Sequence, residues 1–123
     1  MSERTLHRAV CQYLKMAYPN VIFNTDLSGA GKLTIGQATT LKALRSGRGF
    51  PDLVIYESCK GFHGLFIELK QDLTKVFTNA GNCATPHIAE QWKMIQRLQE
   101  RGYSASFAVG FSEAKLIIDN YLK

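Results

Sequence analysis

Asp52, Glu68 and Lys70 are the residues of this chain whose types and spacing could do chemistry. Asp52 opens the apolar run Leu53–Tyr56, and Glu68 and Lys70 close the run Leu65–Ile67. Ionisable side chains among apolar ones need a partner or a metal. Both runs are β-branched and aromatic, as strands are, and Lys60, Gly61 and Gly64 between them suit a hairpin loop. In an antiparallel hairpin centred near Lys60–Gly61, paired positions keep a constant index sum, so Asp52 falls opposite Glu68 to Lys70. Alternate strand residues share a face, so Glu68 and Lys70 point the same way. Two carboxylates and an ammonium thus converge at one end of a hairpin. The carboxylates suit Mg²⁺ or Mn²⁺, hard cations that take oxygen ligands. A lysine beside such a cation can orient or deprotonate a water.

The elements that must position these groups follow from periodicity. Ser2 caps a first helix with Glu3 in its first turn, and Leu6, Val10, Tyr13, Leu14 and Ala17 form its apolar stripe. Glu3 sits at the end of that stripe; spacing alone reads it as a surface glutamate complementing the helix dipole. Pro19-Asn20 breaks the helix, Val21–Phe23 reads as a first strand, and Asp26 to Leu33 as a glycine-containing loop. Gln37 to Arg45 forms a short helix closed by Ser46-Gly47. Gln71 to Ala84 is polar and irregular, with Thr78–Asn82 as a mobile tip. Thr85 and Pro86 announce another helix, with Ile88, Trp92, Ile95 and Leu98 inward and Gln91 among them. A buried amide needs hydrogen-bond partners, so Gln91 is either a satisfied core residue or part of the site. Gly102 ends that helix, Ser104–Val109 is a fourth strand, and Ser112 caps a last helix with Leu116, Ile117 and Tyr121 inward. The result is an α/β chain: a small mixed sheet flanked by helices.

Composition narrows the classes. The chain has 123 residues, 46% hydrophobic and 20% charged, which fits one soluble domain spanning residues 1–123. A net charge of +5 suits a polyanionic partner. Lys32, Lys42, Arg45 and Arg48 are the candidate phosphate contacts; Lys42, Arg45 and Arg48 lead into the Pro-Asp corner and read either as a solvated face or as a grip on a DNA backbone. Three widely spaced cysteines argue against a disulfide framework and for a reducing cytoplasm. No signal peptide and no membrane span is expected. Gly31-Lys32 lacks the glycine and the hydroxyl that a phosphate-binding loop requires, so no nucleoside triphosphate is expected. His7 and Cys11 stand four apart on a helix, but without a second pair at ligand spacing they read as structural. Cys59, His63, Cys83 and His87 are too scattered for zinc.

Pro51-Asp52 followed by Glu68-Leu69-Lys70 resembles the PD-(D/E)XK nuclease motif. Gly49-Phe50 before it, with Gln91, Leu98 and Gly102 after it, makes the chain similar to the VRR-Nuc family from Glu3 to about Gly110. The resemblance implies a restriction-endonuclease-like αβββαβ core and a metal-dependent DNA endonuclease leaving a 5′-phosphate and a 3′-hydroxyl. It implies Asp52, Glu68 and the Leu69 carbonyl as ligands to Mg²⁺ or Mn²⁺, with Glu3 reaching the same site. Lys70 would act on the water, and Gln91 would bond to that water or to a phosphate. Small stand-alone members resemble Holliday-junction resolvases, which implies a homodimer cutting branched DNA in DNA repair. The small size also fits a phage or prophage enzyme, in a bacterial or infected-host cytoplasm. Two alternatives stand beside this: a non-specific, flap-type or restriction-like nuclease, and a non-catalytic DNA-binding module.

Overall fold

The computed structural model describes residues 1–26 and 33–123. Its elements run α1 (Glu3–Ala17), β1 (Phe23–Thr25), α2 (Ile35–Ala43), β2 (Leu53–Ile55), β3 (Leu65–Lys70), α3 (Pro86–Glu100), β4 (Ser104–Val109) and α4 (Phe111–Leu122). The four strands lie side by side in chain order. β1–β2 and β2–β3 are antiparallel, and β3–β4 is parallel, with α3 as the crossover. This is the expected αβββαβ core with a mixed sheet.

Strand alternation divides the core. Leu53, Ile55, Leu65, Ile67 and Leu69 face α1 and α4, where Leu6, Val10, Leu14, Ala114, Ile118 and Tyr121 bury against them. Phe66, Ala105 and Phe107 face α3, packing with Val76, Ile88 and Ile95. No helix is long and apolar enough to cross a membrane among the described residues.

Several boundaries differ from the sequence reading. β1 begins at Phe23, because Val21 is held in a turn by its N–H donating to the Tyr18 carbonyl. β2 stops at Ile55, one residue short of Tyr56, while β3 keeps the expected Leu65–Lys70 run, paired with β4 along its whole length. α2 starts at Ile35, where Thr34 and Gln37 form a reciprocal capping box, and it buries no residue. α4 starts at Phe111: Gly110, at φ +83°, turns the chain directly out of β4, so Ser112 lies inside the helix and does not cap it. Its buried face is therefore Ala114, Ile118 and Tyr121, while Leu116 is exposed and Ile117 half-buried. Ala17, at the last turn of α1, is exposed. The 71–84 segment has no helix or strand but is packed: Phe77 pairs with Cys83, and its ring contacts Trp92 and Phe107. The expected mobile tip is a turn in which the Thr78 N–H donates to the Asn82 carbonyl at 2.7 Å.

α1 carries Glu3 and His7, and a polar clamp fixes it to α4. Tyr13 and Tyr18 donate their hydroxyls to Asp119 Oδ1 at 2.5 and 2.6 Å, and Lys115 donates to Oδ2 at 3.2 Å. The Tyr13 and then the Tyr18 hydrogen bonds hold the Asp119 carboxyl down to about 2. Burial, followed by Asp119, pushes the Tyr18 hydroxyl upward. A depressed carboxyl stabilises the fold above its unfolded pKa, and that stability is lost as pH falls towards the folded value. Asp119→Asn should lower stability at pH 7 by about 1–2 kcal/mol and by less at pH 3. Urea midpoints of both proteins at the two pH values check this; an equal loss at both would remove the charge from the explanation.

Candidate active site

Asp52 stands where β2 begins and its pairing with β3 stops. The register pairs Leu53 with Ile67, so one further step sets Asp52 opposite Glu68. Past that point β3 has a ladder donor that β2 no longer meets. The Asp52 carboxylate takes it: the Leu69 N–H donates to Oδ2 at 3.1 Å. The backbone of Asp52 is tied on its other side, where its carbonyl accepts from the Asp26 N–H at 2.8 Å. The Lys70 carbonyl accepts from Gly110 on the β4 side of β3, so alternation turns the Leu69 carbonyl, like its N–H, towards Asp52.

Glu68 and Lys70 share the face opposite Leu69, and Lys70 Nζ lies 3.8 Å from Glu68 Oε2. The Glu68 side chain is 4% exposed and the Lys70 side chain 14%. Glu68 Oε1 is buried without a hydrogen-bond partner. Burial, then the charge and hydrogen bond of Asp52, push the Glu68 carboxyl up to about 9; Lys70 opposes this and Glu3 adds to it. Two crowded carboxylates, one with an orphaned oxygen, beside a backbone carbonyl turned to the same edge, form an oxygen-donor set that suits a hard divalent cation.

Glu3 comes to the same place from the first turn of α1. One donor atom each from Glu3, His7 and Asp52 lie within 4.8 Å of one another, the one such cluster of His, Cys, Asp and Glu among the described residues. His7, read as structural from sequence, belongs to this cluster; Cys11 does not, and lies within 4.0 Å of the Thr25 hydroxyl. The usable signal was the four-residue step from Glu3 to His7, one helical turn on the same face.

Gln91 is buried on α3, with Oε1 unpartnered and Nε2 3.3 Å from His87 Nε2. Gly49 explains how the Pro-Asp corner meets α3 at this level. A Cβ on Gly49 would lie 2.7 Å from the Glu90 carbonyl oxygen and 3.0 Å from Gln91 Cα, and its φ is +80°. Only glycine takes that conformation against the helix without strain.

The basic residues are less concentrated than their spacing implied. Arg45 is ion-paired with Asp26, Arg48 lies 3.9 Å from Glu90, and Lys42 is exposed on α2. Lys32 lies outside the described residues. α3 covers the β3–β4 half of its face of the sheet. Beside β1 and β2, Asn24, Arg45, Phe50, Asp52, Val54 and Phe66 line an open groove of about 480 Å³. Asp52 is thus reachable from a groove with Arg45 on its wall.

The crowding at Glu68 has a cost that can be measured. A raised carboxyl pKa favours the neutral form in the folded state, so stability falls as pH rises from the unfolded value towards about 9. Glu68→Gln should therefore be more stable than the natural chain in chelator at pH 8, by about 2 kcal/mol, with the gap closing towards pH 4. Denaturant melts at both pH values check the sign; a destabilised variant at pH 8 would contradict it.

No family model matches the chain, and no curated protein matches it. Among solved structures the chain is similar to one described as "VRR_NUC domain protein". The two are 23% identical, the match covers 99% of this chain and 88% of that one, and the TM-score is 0.72. The architecture of this chain is thus similar to that of the VRR_NUC domain protein.

Proposed function

We propose that this VRR-Nuc-like chain is a divalent-metal-dependent nuclease that hydrolyses phosphodiester bonds in DNA. The observation that carries the reading is the convergence of Asp52, Glu68 and Lys70 at the open end of one hairpin, with Glu68 buried and one of its oxygens unpartnered. A binding module has no use for paired carboxylates beside a groove that receives a phosphate backbone, because an ionised Asp52 without a cation repels that backbone.

Asp52, Glu68 and the Leu69 carbonyl would hold Mg²⁺ or Mn²⁺, with Glu3 closing the site from α1. When bound, the cation polarises the scissile phosphate and lowers the pKa of a water. Lys70, the ammonium at the same hairpin end, positions the attacking water and offsets charge building on the phosphate. Gln91 offers its orphaned amide oxygen to a water or its N–H to a phosphate oxygen. Arg45 and Lys42 receive the backbone along the groove beside β1 and β2. The products are a 5′-phosphate and a 3′-hydroxyl. The preferred substrate in this reading is branched DNA cut by a homodimer. Each chain supplies one hairpin end of this kind, so paired cuts in two strands need two copies.

Cleavage of a labelled four-way junction and the matched duplex, in Mg²⁺, Mn²⁺ or EDTA, tests this. Cleavage should require metal and fall at least about 100-fold in Asp52→Asn, Glu68→Gln and Lys70→Ala, with circular dichroism unchanged. Symmetric cuts confined to the junction would support the dimeric reading, and cuts on every substrate would remove branch selectivity. Near-natural activity in all three variants would overturn the mechanism.

A further inference from the structure

We infer that His7 is a metal ligand, and that the site it completes with Glu3 and Asp52 prefers Mn²⁺ to Mg²⁺. This rests on the metal-dependent reading above and adds to it a nitrogen donor. His7 is 2% exposed, and neither ring nitrogen has a hydrogen-bond partner. A buried imidazole serving only the core has at least one nitrogen satisfied. His7 Nε2 instead points at Asp52 Oδ2 from 3.6 Å, too far for a hydrogen bond. That oxygen already accepts from the Leu69 N–H.

Glu3 and His7 are one helical turn apart, so they reach the same point side by side. Donors at roughly 2.2 Å from a cation lie at most ~4.4 Å from each other. The observed span of 4.8 Å needs the three side chains to close by a few tenths of an ångström. Two carboxylates and an imidazole form a mixed oxygen–nitrogen set. Mg²⁺ demands near-ideal oxygen coordination and gives up its waters reluctantly, whereas Mn²⁺, although also at home with carboxylates, is a first-row transition metal that tolerates an imidazole among them. His7 lies on the α1 side of Asp52, while Glu68 and Lys70 lie across it on β3, so His7 adds a ligand without displacing the proposed oxygen donors.

The test is pulsed EPR of the full chain with one equivalent of Mn²⁺, which reads imidazole coordination as a nitrogen coupling in the natural protein, whatever variants do. A coupling present in the natural chain and absent in His7→Gln is expected. Calorimetric titration of each metal should then show Mn²⁺ affinity falling at least about tenfold in His7→Gln and Mg²⁺ affinity changing much less. Bound Mn²⁺ with no nitrogen coupling, or equal loss for both metals, would overturn the assignment and leave the nuclease reading standing. No bound Mn²⁺ in the natural chain would overturn both.

Discussion

The structure turns on two carboxylates held side by side, one buried and the other half-buried at the edge of an open groove. Asp52 and Glu68 face each other across the end of β2 and β3, where burial and the neighbouring Asp52 charge both disfavour an ionised Glu68. Lys70 offsets only part of this, and one Glu68 oxygen has nothing to accept from. A fold selected for stability alone would fill this position with apolar side chains, since a buried charged group contributes little net stability even when paired. Local cost with no structural return is what the proposed cation would offset.

The rest of the chain fixes the geometry of that pair. Asp52 is aimed by the Leu69 N–H, a hydrogen bond available because β2 begins at Leu53, two residues past the position that the register would set opposite Leu69. Its backbone is pinned by β1 on one side, and the Gly49 contact brings the Pro-Asp corner against α3 near Gln91 on the other. α1 brings Glu3 and His7, and the Tyr13–Tyr18–Asp119 clamp holds α1 to α4 across the lower face of the sheet. Each of these supports acts through backbone or through a charge-assisted hydrogen bond, so each tolerates little displacement.

Much of this was legible in sequence where local rules apply. The hairpin register followed from counting outward from Lys60–Gly61, and the shared face of Glu68 and Lys70 followed from the period of two. The helix stripes of α1 and α3 followed from the period of 3.6, including the inward position of Gln91. The approach of His7 to Asp52 was not legible, because the two lie far apart along the chain and no periodicity encodes that meeting. The ends of α2 and α4 were misplaced for local reasons. The Thr34–Gln37 box was not read as a start, and Gly110 took the turn that Ser112 was expected to cap. The ion pairs of Arg45 with Asp26 and Arg48 with Glu90 also depend on tertiary placement, which a run of basic residues does not reveal.

The proposed chemistry depends on a divalent cation at the Asp52–Glu68 end of the hairpin. Anomalous diffraction from crystals soaked in Mn²⁺ tests it most directly, because it locates the ion without reference to activity. A peak is expected within ~2.0–2.4 Å of an oxygen of Asp52 and one of Glu68, with the Leu69 carbonyl also in reach. A crystal with Mn²⁺ elsewhere or nowhere, and Lys70 Nζ closed onto both carboxylates, would contradict it.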